Sequence, residues 1–220
     1  MNPPVPDALL FLSSHCPHCP GVLAGLADLV KRGVIGRLEV VNLEVHPESG
    51  EALGVRSVPW LRLGLFVLTG ARTAGELETW ARRATSADGL AEACHDLLKT
   101  GGLAQVLALV AADTTRLAAL LAIVGNPEAS INVRLGAGAV FEDYAATPAL
   151  QSLIPALGEL SSHPDARVRA DACHTLGLSA GAAARPWLEA RLEDANADVR
   201  EIAREGLEQI HPVMQGARGK

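Results

Sequence analysis

The stretch Ser14-His15-Cys16-Pro17-His18-Cys19-Pro20 decides how the first third of the chain is read. Ahead of it, residues 8–13 form a short apolar run, bounded by Pro3 and Pro6, that reads as a buried strand. Behind it, residues 17–31 read as a helix, because Pro17 suits a first helical position and Leu23, Leu26 and Val30 keep helical spacing. Gly33 and Gly36 end that helix. Cysteines at i and i+3 across a helix start put both sulfurs on one side, within the short Cα separation that a disulfide demands. Cys16 then lies beside unpaired backbone N–H groups at the positive helix end, which favour its thiolate and mark it as the nucleophile. Cys19, one turn inside, is placed to resolve a mixed disulfide on Cys16. Pro17 adds no donor, whereas His18 can supply a positive charge or a hydrogen bond to the sulfur. Pro20 is tolerated because it is still in the first turn.

Working outward, residues 37–45 alternate Leu38 and Val40 with Val41, Leu43 and Val45, the pattern of a strand buried on both faces. Residues 47–53 read as a short helical connection ending at Gly54. Residues 60–68 supply two short strands that turn near Gly64, and residues 73–83 an amphipathic helix with Leu77 and Trp80 inward. The order is βαβαββα, an α/β domain with a mixed four-stranded sheet and flanking helices over residues 1–86.

From Ala87 onward Gly, Ala and Leu recur at helical periods and no strand is readable, so residues 87–220 form an all-α domain. The segments Ser130-Ile131-Asn132-Val133-Arg134, Asp165-Ala166-Arg167-Val168-Arg169 and Asn196-Ala197-Asp198-Val199-Arg200 superpose at spacings of 35 and 31 residues. Each is followed by an Ala and a large apolar residue: Ala137 and Phe141, Ala172 and Leu176, Ala203 and Leu207. These share one helix face, and the small Ala admits a neighbouring helix closely. An apolar helix precedes each, over residues 117–124, 150–160 and 184–192. Such pairs bury their apolar faces only by stacking on one another. The pattern resembles HEAT repeats over roughly residues 115–210. Arg134, Arg169 and Arg200 fall in line along the stack, either as a structural ladder with Ser130, Asp165 and Asn196 or as a ligand-binding row. Residues 87–111 read as two further helices that cap the array.

The first domain resembles the thioredoxin superfamily over roughly residues 7–85. Cys-Pro-His-Cys at Cys16, Pro17, His18 and Cys19 is the tetrapeptide of bacterial disulfide oxidants of the DsbA type, and Gly54-Val55-Arg56-Ser57-Val58-Pro59 is similar to the family's cis-proline segment. The resemblance implies a redox-active centre, a cis Val58–Pro59 bond, and a substrate site in which Val58 offers its backbone to an incoming peptide. Trp60 either lines that groove or, with Trp80 and Trp187, anchors a core. The sequence departs from the family where it buries an acid and a lysine: Leu10 and Val40 stand there. The family's first strand is also missing, as in the glutaredoxin-like minimal form, and no glutathione-anchoring residues are recognisable.

A net charge of -6 without a basic block excludes a nucleic-acid footprint. No signal peptide or membrane span is readable, residues 1–6 carrying no positive side chain, so the expected location is cytoplasmic. Four cysteines are too few for a disulfide framework in a chain of 220 residues, and a close pair in a reducing compartment is catalytic or metal-binding. No second Cys or His pair stands at ligand spacing, so no metal and no cofactor are expected. Cys94 and Cys173, each followed by a histidine (His95, His174), read as small core residues rather than redox groups. The function read from the residues and the resemblance together is thiol–disulfide oxidoreduction on a protein substrate docked by the repeats. The alternative is a redox-sensing or non-catalytic scaffold.

Overall fold

The computed structural model describes residues 5–210; Pro3 of the first strand's boundary and residues 211–220 of the second domain lie outside them. The chain divides into two compact units, Met1–Ala93 and Cys94–Lys220.

The first unit holds one four-stranded sheet in the order β2-β1-β3-β4. Strand β1 (Ala8–Leu12) is central, because Leu10 and Phe11 are apolar enough to be buried on opposite faces. It pairs parallel with β2 (Leu38–Asn42) and antiparallel with β3 (Trp60–Leu63), which turns through Gly64 at φ 56° into β4 (Phe66–Thr69). Helix α1 (Cys19–Lys31) makes the β1-to-β2 crossover, α2 (Pro47–Glu51) links β2 to β3, and α3 (Ala74–Arg83) follows the sheet. Thr73 starts α3 with a reciprocal capping box to Glu76. Leu77 and Ala81 are buried, while Trp80 is half-buried with its ring edge-on to Phe66 at 5.0 Å. Gly25 lets α3 approach α1, since a Cβ there would stand 3.0 Å from Leu77 Cδ1.

Two expectations for this unit are corrected. Strand β2 is an edge strand and not buried on both faces: Val40 is 41% exposed, and Val45, beyond the strand end, 67%. Alternation marks a pleat but not whether a neighbour covers it. Helix α1 begins at Cys19, with His18 as its N-cap, and not at Pro17. Its inward face is Val22, Gly25, Leu26 and Leu29, leaving Leu23 and Val30 half-buried.

Helix α4 (Ala87–Lys99) carries the chain from one unit to the next, and α5 (Leu103–Ala112) follows. Three longer helices then recur with thirteen residues each: α7 (Ile131–Asp143), α10 (Ala166–Leu178) and α12 (Ala197–Gln209). Val133, Val168 and Val199 are at most 1% exposed, and burying each contributes about 1.5–3 kcal/mol. Ala137, Ala172 and Ala203 are buried beside them. Leu207 is half-buried, whereas Phe141 and Leu176 are fully buried; on α12 the inward position is Gly206, which meets α10 at Gly177, where a Cβ would stand 2.7 Å from the Gly206 Cα.

The helices ahead of these are shorter than the apolar runs imply. The first is a 3₁₀ turn (Thr114–Leu120) leading into α6 (Leu121–Val124), the second is split into α8 (Pro148–Gln151) and α9 (Ile154–Leu160), and the third is α11 (Arg185–Glu189) after a 3₁₀ turn. Pro148, Pro155 and Pro186 each sit in a first turn, where the missing N–H costs nothing but where a preceding helix must stop. Trp187 is the anchor between these layers, lying so close over Gly158 that any Cβ there would collide with its ring.

Candidate functional site

The carboxyl ends of β1 and β2 and the start of β3 meet at one end of the sheet. Leu12 pairs with Asn42, and Phe11 with Trp60, so Pro59 falls opposite Leu12. The cysteine turn leaves from this end. It is closed by the Cys16 N–H donating to the Ser13 carbonyl at 3.3 Å. Pro17 and His18 bridge from that turn to the helix, and both are exposed.

Cys16 and Cys19 form a disulfide with a Cα separation of 5.5 Å. Their environments differ. Cys19 is 2% exposed, whereas Cys16 is half-buried and is the sulfur an outside group meets. His18 makes no side-chain cap, and the first helical N–H, that of Cys19, donates instead to Cys16 Sγ at 3.2 Å. The sulfur thereby takes a role that a serine or aspartate oxygen usually fills at a helix start. An N–H directed at sulfur stabilises negative charge there.

Two residues of the site, Asn42 and Glu44, are not evident from the motif. Asn42 Nδ2 donates to Ser14 Oγ at 3.0 Å, Asn42 Oδ1 accepts from the Glu44 N–H at 2.9 Å, and Glu44 Oε1 lies 3.1 Å from His15 Nδ1. The hydrogen bonds from His15 first, and from Ser14, hold the Glu44 carboxyl below its ordinary value. Parallel pairing is the signal that locates them, because it brings the carboxyl ends of β1 and β2 together and with them the residues that follow each strand.

Val58–Pro59 is cis, Pro59 is buried and its carbonyl accepts from the Gly70 N–H at 2.9 Å. Among the described residues no backbone group pairs with the Val58 N–H or carbonyl. Trp60 is 7% exposed and stacks on Phe11 at 5.2 Å, which assigns its ring to the core rather than to a groove. Leu10, where the resemblance would put an acid, is fully buried and carries no proton acceptor.

Cys94 and Cys173 are buried, and desolvation pushes their thiols up to about 11 and about 12. Neither forms a thiolate near neutrality. Among the described residues no group of three or more His, Cys, Asp or Glu side chains is placed to hold a metal ion, and no helix is long and apolar enough to cross a membrane.

The arginine row has partners other than those expected. Arg134 makes a two-pronged pair with Asp171 of the following repeat, at 2.6 and 2.8 Å. Arg169 does the same with Asp194, at 2.8 and 2.7 Å, and also donates to the His163 and Pro164 carbonyls. Arg200 donates to the Asp194 and Ala195 carbonyls. Two of the side chains at the motif starts are occupied locally: Asp165 accepts from the Arg167 N–H, and Asn196 from the Asp198 and Val199 N–H groups, whereas Ser130 makes no side-chain cap. Hydrogen bonds from the Arg167 side chain and backbone hold the Asp165 carboxyl down at about 2.

Residues 117–208 match the HEAT repeats family, so the stacked pairs of this segment are of that kind. None of the curated proteins matches the chain.

Proposed function

We propose that Cys16 and Cys19 are the dithiol–disulfide couple of a thiol–disulfide oxidoreductase that acts on a protein substrate, with the HEAT-type segment as the docking surface. The observation that carries this is the asymmetry of the pair: an accessible sulfur receiving a helix N–H, and a buried one a single turn behind it. In the reducing direction the Cys16 thiolate attacks a substrate disulfide, forming a mixed disulfide and releasing one substrate thiolate. The Cys19 thiolate then attacks Cys16 Sγ, closes the Cys16–Cys19 disulfide and releases the second substrate thiolate. Two electrons pass from the pair to the substrate, and the oxidising direction is the reverse. The likeness of residues 7–85 to the thioredoxin superfamily supports this reading, as does the Val58 backbone at the same end of the sheet, which pairs with no backbone group among the described residues and is suited to strand addition of a peptide.

A second reading is a redox-sensing scaffold that opens and closes the pair without turnover. The apolar Leu10 favours it, because a buried proton acceptor near Cys19 would speed the second attack. Turnover of a generic protein disulfide by the pre-reduced protein separates the two. Multiple turnovers under a dithiol donor establish the oxidoreductase. A single stoichiometric oxidation with no further turnover leaves the sensor.

A further inference from the structure

Helices α7, α10 and α12 have equal length and bury equivalent valines and alanines, so equivalent positions lie on the same face of each. Leu135, Ala170 and Glu201 follow the three arginines. Ala139, His174 and Glu205 come one turn later, and Glu142, Gly177 and Glu208 about one turn after those. On α7 the first half of this face is apolar where a solvated helix would be polar, Ile131 being 61% exposed and Leu135 66%, and the exposed Glu142 stands at its far end. Beside them a cavity of about 140 Å³ opens between α6, α7 and α10, walled by Ile123, Val124 and Phe141, with Glu142 and His174 also on its lining. That volume is comparable to cavities that accept a benzene-sized group. The Arg134 and Asp171 charges in its wall cancel each other. On α12 the same face carries Glu201, Glu205 and Glu208, all exposed or half-buried at the helix surface, with Arg204 as the one basic side chain among them. The surface therefore changes from apolar to acidic over two helix spacings.

We infer that this face docks an extended segment of a protein partner that places a bulky apolar side chain against Ile131 and Leu135 and a basic cluster against the α12 glutamates. Neighbouring helix axes lie about 8–10 Å apart, so the two contacts are separated by roughly 18 Å. An extended chain covers that in about five or six residues. A segment with acidic residues at that spacing is repelled, which gives the surface its selectivity. The inference deepens the reading above by describing the partner whose cysteines are exchanged, but the contact itself uses no sulfur chemistry.

The test uses the full chain carrying both Cys16→Ser and Cys19→Ser, and a fluorescent probe peptide with a leucine pair, a five-residue Gly/Ser spacer and three lysines. Anisotropy titration is expected to show saturable binding that weakens as salt rises. Leu135→Asp, and separately Glu201→Lys with Glu205→Lys, are each expected to weaken it at least tenfold; these positions are exposed, and circular dichroism verifies that the helices persist. A peptide with three glutamates for the lysines is expected not to bind. Equal binding of the two peptides, or binding unchanged by Leu135→Asp, overturns the proposal. A concentration-dependent dimer of the native chain that Leu135→Asp abolishes also overturns it, by assigning the apolar patch to a second copy. Because the probe assay runs without the cysteines, peptide binding without turnover of the native chain would leave the docking surface standing and remove the oxidoreductase.

Discussion

Helix starts in the two units solve the same problem in opposite ways. Every α-helix begins with N–H groups that have no partner inside the helix. At α10 and α12 side-chain oxygens of Asp165 and Asn196 take them, and the result is a fixed structural joint. At α1 His18 takes none, and the Cys19 N–H points at the Cys16 sulfur. A stabilising cap is forgone and a polarised sulfur is obtained. The cysteines extend the contrast: Cys173 lies in the middle of α10, buried, and burial suppresses its thiolate. Position relative to the helix end, not residue type, divides the sulfur that receives a helix N–H from the buried ones.

The largest effect is expected at Cys16. Cys16→Ser is expected to reduce disulfide exchange to background, while Cys19→Ser accumulates mixed disulfides on Cys16, identified by mass spectrometry of trapped adducts. Adducts found on Cys19 would reverse the assignment of the two sulfurs.

The next largest effect lies in the repeat unit. Asp194 has a side chain only 4% exposed and bonds Arg169 through both oxygens. Asp194→Ala leaves that arginine charge unpaired and is expected to cost about 3 kcal/mol, read from the urea midpoint. Arg169 holds the Asp194 carboxyl below its ordinary value. A depressed folded-state value contributes stability that is complete above the unfolded value, about 3.9, and is lost as pH falls through the lower folded one. Native Asp194 should therefore steepen acid unfolding in that window relative to Asp194→Asn, and superimposable acid profiles would count against the pair.

A smaller effect tests the caps directly. Asn196→Ala is expected to cost about 1 kcal/mol, since two N–H groups lose their acceptor, whereas His18→Ala should cost at most a few tenths. A substitution at His18 should register instead in the ultraviolet thiolate titration of Cys16 in the reduced Cys19→Ser background. If His18→Ala destabilised the fold as much as Asn196→Ala, His18 would be a cap after all. The smallest effect belongs to the buried thiols: Cys94→Ala and Cys173→Ala should leave turnover within about twofold of native, and neither thiol should alkylate until the chain unfolds.

Sequence by itself determined the order of strands and helices in the first unit, the i, i+3 cysteine spacing, and the three repeated helices. These follow from periodicity and turn chemistry, which act over a few residues. The tertiary structure alone decided what stands opposite each of them. The pleat of residues 37–45 is legible, but that β2 lies at the sheet edge depends on strand order. The arginine row is legible, but Arg134 and Arg169 find carboxylates 37 and 25 residues onward, because stacking sets Asp171 and Asp194 against them while Asp165 is already bonded to its own helix start. Asn42 and Glu44 look like an ordinary strand end, and only parallel pairing sets them against Ser14 and His15. Local pattern specifies which residues share a face, and packing between segments distant in sequence specifies what that face meets.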